Sequence, residues 1–350
     1  MVWKSALIAG MVLPLATVIS IDPANGATYA APSLTAVSSV ACKPNGLCVA
    51  VGESSAHVAG VATEVGGGRW RSSAIPFEVG SLESVTCPTS RSCVAVGGGR
   101  GSALILSSSD GGIQWNATFS SPSLVALNAV TCPSSSVCIA AGIGTGIVKS
   151  VNGGSSWTIA NSSLKSGTDL AAMACSTPSQ CLAIDTPQND VAGELIETTN
   201  GWATSTQLST GRQLQLIPSI SCARTRCFAL AIQPNTQNEY AEFGGLVKPW
   251  NRMVLPRSTG FLQSVTCWSS RLCVAFGTLR GRNHTFPASA VVVSTAGRSL
   301  ASAVLPQFAG APFAGSCSER GYCVAVGPRR NGGVTGAVSR DGGRTWKAQG

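Results

Sequence analysis

The chain is poor in charge. Asp, Glu, Lys and Arg make up 11% of its 350 residues, less than half of the usual ~25%. It has only two histidines, His57 and His284, and three tyrosines. No long apolar run follows residue 21, which excludes a polytopic membrane protein. Charge blocks are missing too, and with 44% hydrophobic residues this excludes a disordered chain. No HExxH, phosphate loop or Ser-His-Asp order is present. What the chain does have is 40 glycines and 14 cysteines. An even cysteine count points to an oxidising compartment.

The N-terminus agrees with that compartment. Lys4 precedes an apolar stretch from Ala6 to Ile21, and small residues follow, among them Ala24, Gly26, Ala27 and Ala30. A positive end, a short apolar core and a small-residue exit read as a secretory signal. The stretch is short for a membrane span, and an uncleaved anchor is the competing reading. We expect a signal over residues 1–25 and one domain over 26–350. The domain is expected to be secreted or held in the cell envelope, monomeric, with no integral span once the signal is removed.

The cysteines form seven pairs: Cys42 and Cys48, Cys87 and Cys93, Cys132 and Cys138, Cys175 and Cys181, Cys222 and Cys227, Cys267 and Cys273, Cys317 and Cys323. First cysteines recur every 43 to 50 residues. That period belongs to repeat architectures and falls in the range of four-stranded propeller blades. Apolar, β-branched runs flank the pairs, such as Ser84-Val85-Thr86 before Cys87 and Val94-Ala95-Val96-Gly97 after Cys93. They read as strands A and B of a hairpin with the cysteines at its mouth. Zinc pairs usually have two to four residues between cysteines and come in sets of four ligands. Six of these pairs enclose five residues, so structural disulfides are expected and no metal or cofactor.

A second motif follows each pair. Ser108-Ser109-Asp110-Gly111-Gly112-Ile113-Gln114-Trp115 recurs as Ser150-Val151-Asn152-Gly153-Gly154-Ser155-Ser156-Trp157 and as Ser339-Arg340-Asp341-Gly342-Gly343-Arg344-Thr345-Trp346. Weaker copies include Thr198-Thr199-Asn200-Gly201-Trp202. With the pattern Ser/Thr-x-Asp-x-Gly-x-x-Trp, the chain resembles the Asp-box, or bacterial neuraminidase repeat, propellers. It also resembles the photosystem II assembly-factor propellers, which bind protein partners. The resemblance implies an all-β fold: a seven-bladed β-propeller of four-stranded antiparallel blades, with one disulfide in each A–B hairpin. It makes the motif a structural turn between strands C and D, with Ser108, Asp110, Gly112 and Trp115 in folding roles. Ser150, Asn152, Gly154 and Trp157 repeat those roles, as do Ser339, Asp341, Gly343 and Trp346.

Residues 26–34 also resemble 116–124, a segment that follows Trp115. We therefore expect residues near 26–31 to complete or extend the outer edge of the seventh blade and so join the two ends.

Strand order sorts the connections. A–B and C–D loops share one face, so cystine loops and Asp-box turns crowd together there. Function is expected on the opposite face. Its loops carry Arg100, Arg280, Arg282, His284, Arg329 and Arg330. Gathered arginines suit carboxylate, sulfate or phosphate groups. The expected protein is a non-catalytic scaffold for a glycan, an anionic polymer or a protein, and export argues against nucleic acid. The alternative is a sialidase-like glycoside hydrolase. The resemblance would then require a Tyr nucleophile with a Glu partner, and Tyr240 with Glu239 is the one usable pair.

Overall fold

The computed structural model describes residues 29–349 except 31–32, 44, 55, 66–67, 77–78, 100, 145, 166, 187–193, 209–214, 225, 233–238, 246–247, 255–258, 280–286, 295–298, 306–307, 309–313, 319 and 329–333. It is a β-propeller. Its strands, named A to D from the inside outward, form seven four-stranded antiparallel sheets. Sheet 1 runs Leu34–Cys42, Cys48–Ser54, Ala59–Glu64 and Trp70–Ser72; sheet 2 runs Ser81–Thr86, Cys93–Gly99, Ser102–Ser108 and Asn116–Ser121. Sheet 3 runs Leu127–Thr131, Cys138–Gly142, Ile147–Ser150 and Thr158–Ala160; sheet 4 runs Leu170–Cys175, Cys181–Asp185, Glu194–Thr198 and Thr206–Leu208. Sheet 5 runs Gln215–Ala223, Arg226–Ile232, Glu239–Gly245 and Lys248–Val254; sheet 6 runs Thr259–Ser269, Leu272–Leu279, Ala288–Ser294 and Ser299–Val304. Sheet 7 runs Ala314–Cys317, Cys323–Pro328, Val334–Ser339 and Lys347–Ala348.

B strands have continuous apolar runs because both of their faces are buried. Val94, Ala95 and Val96 are fully buried, but Val94 and Val96 pack toward sheet 3 while Ala95 packs toward sheet 1. Each apolar cluster joins two neighbouring sheets, and the last unites Leu34, Val37 and Ala50 of sheet 1 with Ala314, Val324 and Val326 of sheet 7. The glycine after the B run also has a cause. At Gly97 an added Cβ would run into the Ser81 carbonyl, where strand A bulges between Leu82 and Ser84.

All seven cysteine pairs are disulfides, with Cα atoms 3.9–4.1 Å apart. Each bond ties the mouth of an A–B hairpin. They point to an extracytoplasmic protein. Among the described residues no helix is long and apolar enough to cross a membrane.

The C–D turns lock each sheet to its neighbour. In sheet 2, Asp110 Oδ1 accepts the backbone N–H groups of Ile113 and Gln114, and Ser108 Oγ accepts that of Gly112. Trp115 is buried and donates Nε1–H to the Gly112 carbonyl. Asp341 has the same bonds. Burial alone would raise its carboxyl, but bonds from Thr345, Ser339 and Arg344 outweigh that and hold it down at about 2. Sheet 4 solves the turn differently. Trp202 takes the position that Gly112 holds in sheet 2, at φ 74°, donating its N–H to Thr198 Oγ1. Its side chain is fully buried between sheets 3 and 4. A tryptophan there is strained, and its buried apolar surface offsets the strain.

The expected fold needs correction at its closure. An additional two-stranded sheet exists, in which Tyr29–Ala30 pairs with Ala74–Ile75, in the link from sheet 1 to sheet 2. The N-terminal strand therefore does not complete sheet 7. That outer place is already taken by Lys347–Ala348, paired with Val338 and Ala337. Side chains close the ring instead. Ser316 Oγ accepts the Cys42 N–H, and Trp70 Nε1–H donates to Gln349 Oε1 at 3.1 Å.

Two outcomes follow. Gly112→Ala would force positive φ (92°) on alanine and place its Cβ 2.6 Å from Val49 Cγ2. We expect a loss of about 1–3 kcal/mol, read as a lower denaturation midpoint. Thiol titration of the denatured, non-reduced protein should find no free thiol, and full reduction should cost roughly 2 kcal/mol per small loop by chain entropy.

Candidate functional site

Three surfaces compete for function: the central channel and the two faces. The A strands of all seven sheets surround a cavity of about 390 Å³. Its lining is hydroxyl-rich, with Ser38, Thr86, Thr131 and Thr266, and Glu83 supplies its carboxylate. Neighbouring serines are engaged in holding the A strands together. Ser39 Oγ accepts the Val85 N–H, Ser84 Oγ that of Val130, and Ser219 Oγ that of Val265. Among the described residues the channel offers polar contacts but no adjacent acid and base.

The face carrying the B–C and D–A connections is acidic among the described residues. Asp185 Oδ1 accepts the Asp169 N–H at 2.7 Å, and Asn128 Nδ2 donates to Asp169 Oδ1 at 2.8 Å. Burial raises the pKa of both carboxyls; the nearby charges of Glu194 and Asp169 push Asp185 further up. Glu53 pairs with His57 at 2.5 Å. No group of three or more metal-binding side chains occurs among the described residues.

The other face holds the cystine loops and the C–D turns together, and hydrogen bonds show why. Backbone N–H groups of Gly111, Gly153, Gly201 and Gly342 donate to carbonyls of Arg91, Ser136, Ser179 and Gly321. Each bond joins a turn to the cystine loop of its own sheet. Side chains of the preceding sheet complete the seat. Thr63 Oγ1 donates to the Gly112 carbonyl, Ser107 Oγ to that of Gly154, and Lys149 Nζ to that of Gly201.

Arg100, Arg280, Arg282, His284, Arg329 and Arg330 lie outside the described residues. Tyr240 and Glu239 are in strand C of sheet 5, facing Ala231 and Ile232 in the ladder; nothing more is described of their side chains. Sequence reasoning missed a buried polar group where sheets 7, 1 and 2 meet. Lys43, at 3% exposure, donates Nζ–H to the Gly111 carbonyl at 2.9 Å. Glu64, also at 3% exposure, accepts a bond from Gln349 Nε2 at 3.0 Å. Burial lowers the Lys43 pKa and raises that of Glu64. The one available signal was a lysine after the first cysteine, where Pro88 and Pro133 stand in the next two repeats.

No protein-family model matches the chain, and no curated protein matches it in sequence. Solved structures do match. One is the GH74 xyloglucanase from Xanthomonas campestris, 13% identical over 89% of this chain and 60% of that one, with TM-score 0.53. Another is YCF48 bound to D1 peptide, 11% identical over 77% of this chain and 80% of that one, at 0.52. A third is PorZ, a bacterial surface component of the type-IX secretion system of Porphyromonas gingivalis, 11% identical over 92% of this chain, at 0.57. This chain spans 60% of the xyloglucanase and 39% of PorZ. At these identities the likeness shows the fold alone.

A pH prediction comes from Glu64. Its folded pKa lies above the ordinary 4.5, so its contribution favours folding at low pH and is lost as pH rises through the folded value. Glu64→Gln should therefore melt higher than the parent at pH 7. The two melting curves should converge below pH 4.5.

Proposed function

We propose that this chain is a secreted, non-catalytic binding scaffold of the Asp-box propeller kind, recognising a glycan, an anionic polymer or a protein partner. The observation that carries the reading is one cystine in every four-stranded sheet, all on one face. Such a frame holds the ring rigid in an oxidising setting and leaves the opposite loops free to vary. The turn geometry of Asp110 and Asp341 supports the family reading. Residues 1–25 are the proposed export signal, and 26–350 the exported domain. YCF48 bound to a peptide and PorZ at a bacterial surface are similar folds in comparable roles.

Contact through the face opposite the cystine loops assigns Arg100, Arg280, Arg282, His284, Arg329 and Arg330 to the partner. The exported protein is screened on arrays of glycans and peptides. Arg280→Ala/Arg282→Ala/Arg329→Ala/Arg330→Ala should lose the ligand bound by the parent, with an unchanged melting temperature. Equal binding by the two proteins would remove these arginines from the contact.

A further inference from the structure

Positive charge concentrates where the staples are. Between paired cysteines the sequence carries Lys43, Arg91, Arg224, Arg226, Arg271 and Arg320. Glu319 is the one carboxylate there, and it lies outside the described residues. The turns beside these loops add Arg69, Arg340 and Arg344, opposed by Asp110 and Asp341. Those two carboxylates are already committed, since each accepts backbone N–H groups of its own turn. Toward the opposite face the described residues have the reverse balance, with Lys165 and Asp169 in a connection and Glu53, Asp185 and Glu194 at strand ends. Among the described residues the two faces therefore carry opposite charge balances.

Arg91, Arg224, Arg271 and Arg320 are all exposed. Three of them stand in the successive cystine loops of sheets 5, 6 and 7. The loops of sheets 3 and 4, Pro133–Val137 and Ser176–Gln180, carry no charge. The cations thus follow an arc around one part of the channel mouth.

We infer that this arc is a docking surface for an acidic polysaccharide, which anchors the protein to an anionic glycan layer outside the cell. The surface goes beyond the scaffold reading and shares with it only the extracytoplasmic setting. Guanidinium forks match carboxylate, sulfate or phosphate groups in pairs. A chain with regularly repeated charges meets successive loops at once, so weak single contacts add. The hydroxyl groups of Thr89, Ser90, Ser92, Ser269 and Ser270 lie in the same loops and suit a polyhydroxy partner. A protein partner needs large apolar anchors. Among the described residues no exposed large apolar side chain lies in a cystine loop, and those in the adjacent turns, Val65, Ile113 and Val151, belong to sheets 1 to 3, away from the loops of sheets 5 to 7.

The test uses the full exported protein on immobilised heparin and polygalacturonate, with neutral dextran as control. The parent should be retained on both acidic glycans, released by salt, and not retained on dextran. Arg224→Glu/Arg271→Glu/Arg320→Glu should bind at least about tenfold more weakly. Arg71→Glu/Lys165→Glu/Lys347→Glu makes the same change in net charge away from the arc and should bind like the parent. Melting curves confirm that both variants fold. Equal weakening by the two triple variants would reduce the effect to net charge and overturn the inference. So would a parent that neither glycan retains, or an arc variant that binds as well as the parent. Array binding lost with Arg280, Arg282, Arg329 and Arg330 is a separate measurement, so the arc and the scaffold reading can fail independently.

Discussion

A turn that closes the outer hairpin of one sheet sits on the second strand of the sheet before it. The ring depends on that seat. At Gly112 the missing side chain makes room for Val49, and the Gly112 carbonyl accepts the bond of Thr63 from the same neighbouring sheet. One residue earlier, the N–H of Gly111 reaches the Arg91 carbonyl in its own cystine loop. The turn is therefore fixed to two sheets, and the disulfide fixes the loop it rests on. Where glycine is replaced, as at Trp202, the large side chain itself occupies the gap between the sheets. Among the described residues the indole Nε1–H of Trp202 then finds no partner, whereas that of Trp115 bonds the Gly112 carbonyl.

Much of this arrangement was legible because it is periodic. Cysteine spacing marked the hairpins, and the Ser-x-Asp-x-Gly-x-x-Trp copies marked the turns, since each must repeat its chemistry wherever the geometry repeats. Closure was misread because it happens once. Residues 26–34 resemble 116–124, and the likeness suggested a completed outer strand on sheet 7. The two-residue strand Lys347–Ala348 holds that edge, and Gln349 extends it by donating its N–H to the Gly336 carbonyl. A strand so short leaves little pattern in a sequence.

The buried group at the seam was hidden for a related reason. Lys43, Glu64 and Gln349 are far apart in the chain, and composition treats the first two as ordinary surface charges. Only the junction of sheets 7, 1 and 2 brings them together. Burial acts on both ionisable groups against their charged forms, while the attraction between Lys43 and Glu64 works the other way. The seam thus sets a buried lysine and a buried carboxylate beside its apolar cluster, and Gln349 accepts a hydrogen bond from Trp70 and donates one to Glu64. Such a seam favours one register of the first and last sheets, because a shift along the strands would take the Gln349 donor from a buried carboxylate.

Rigidity and charge coincide on the stapled side, and the coincidence has a physical basis. A short cystine loop cannot bury a long cation within itself, so arginines placed there point to solvent unless a neighbour captures them, as Gly111 captures Lys43. Loop tips held by a disulfide lose little further backbone entropy on binding, which lowers the cost of ordering a contact. The same staples that make this side look purely structural therefore give it preorganised cations. On the opposite side, Asp185 and Asp169 are tied to each other and to Asn128, and their burial opposes ionisation. The described residues of the two sides thus present unequal charge to an anionic partner. Among the described residues, electrostatics steers it to the cystine loops.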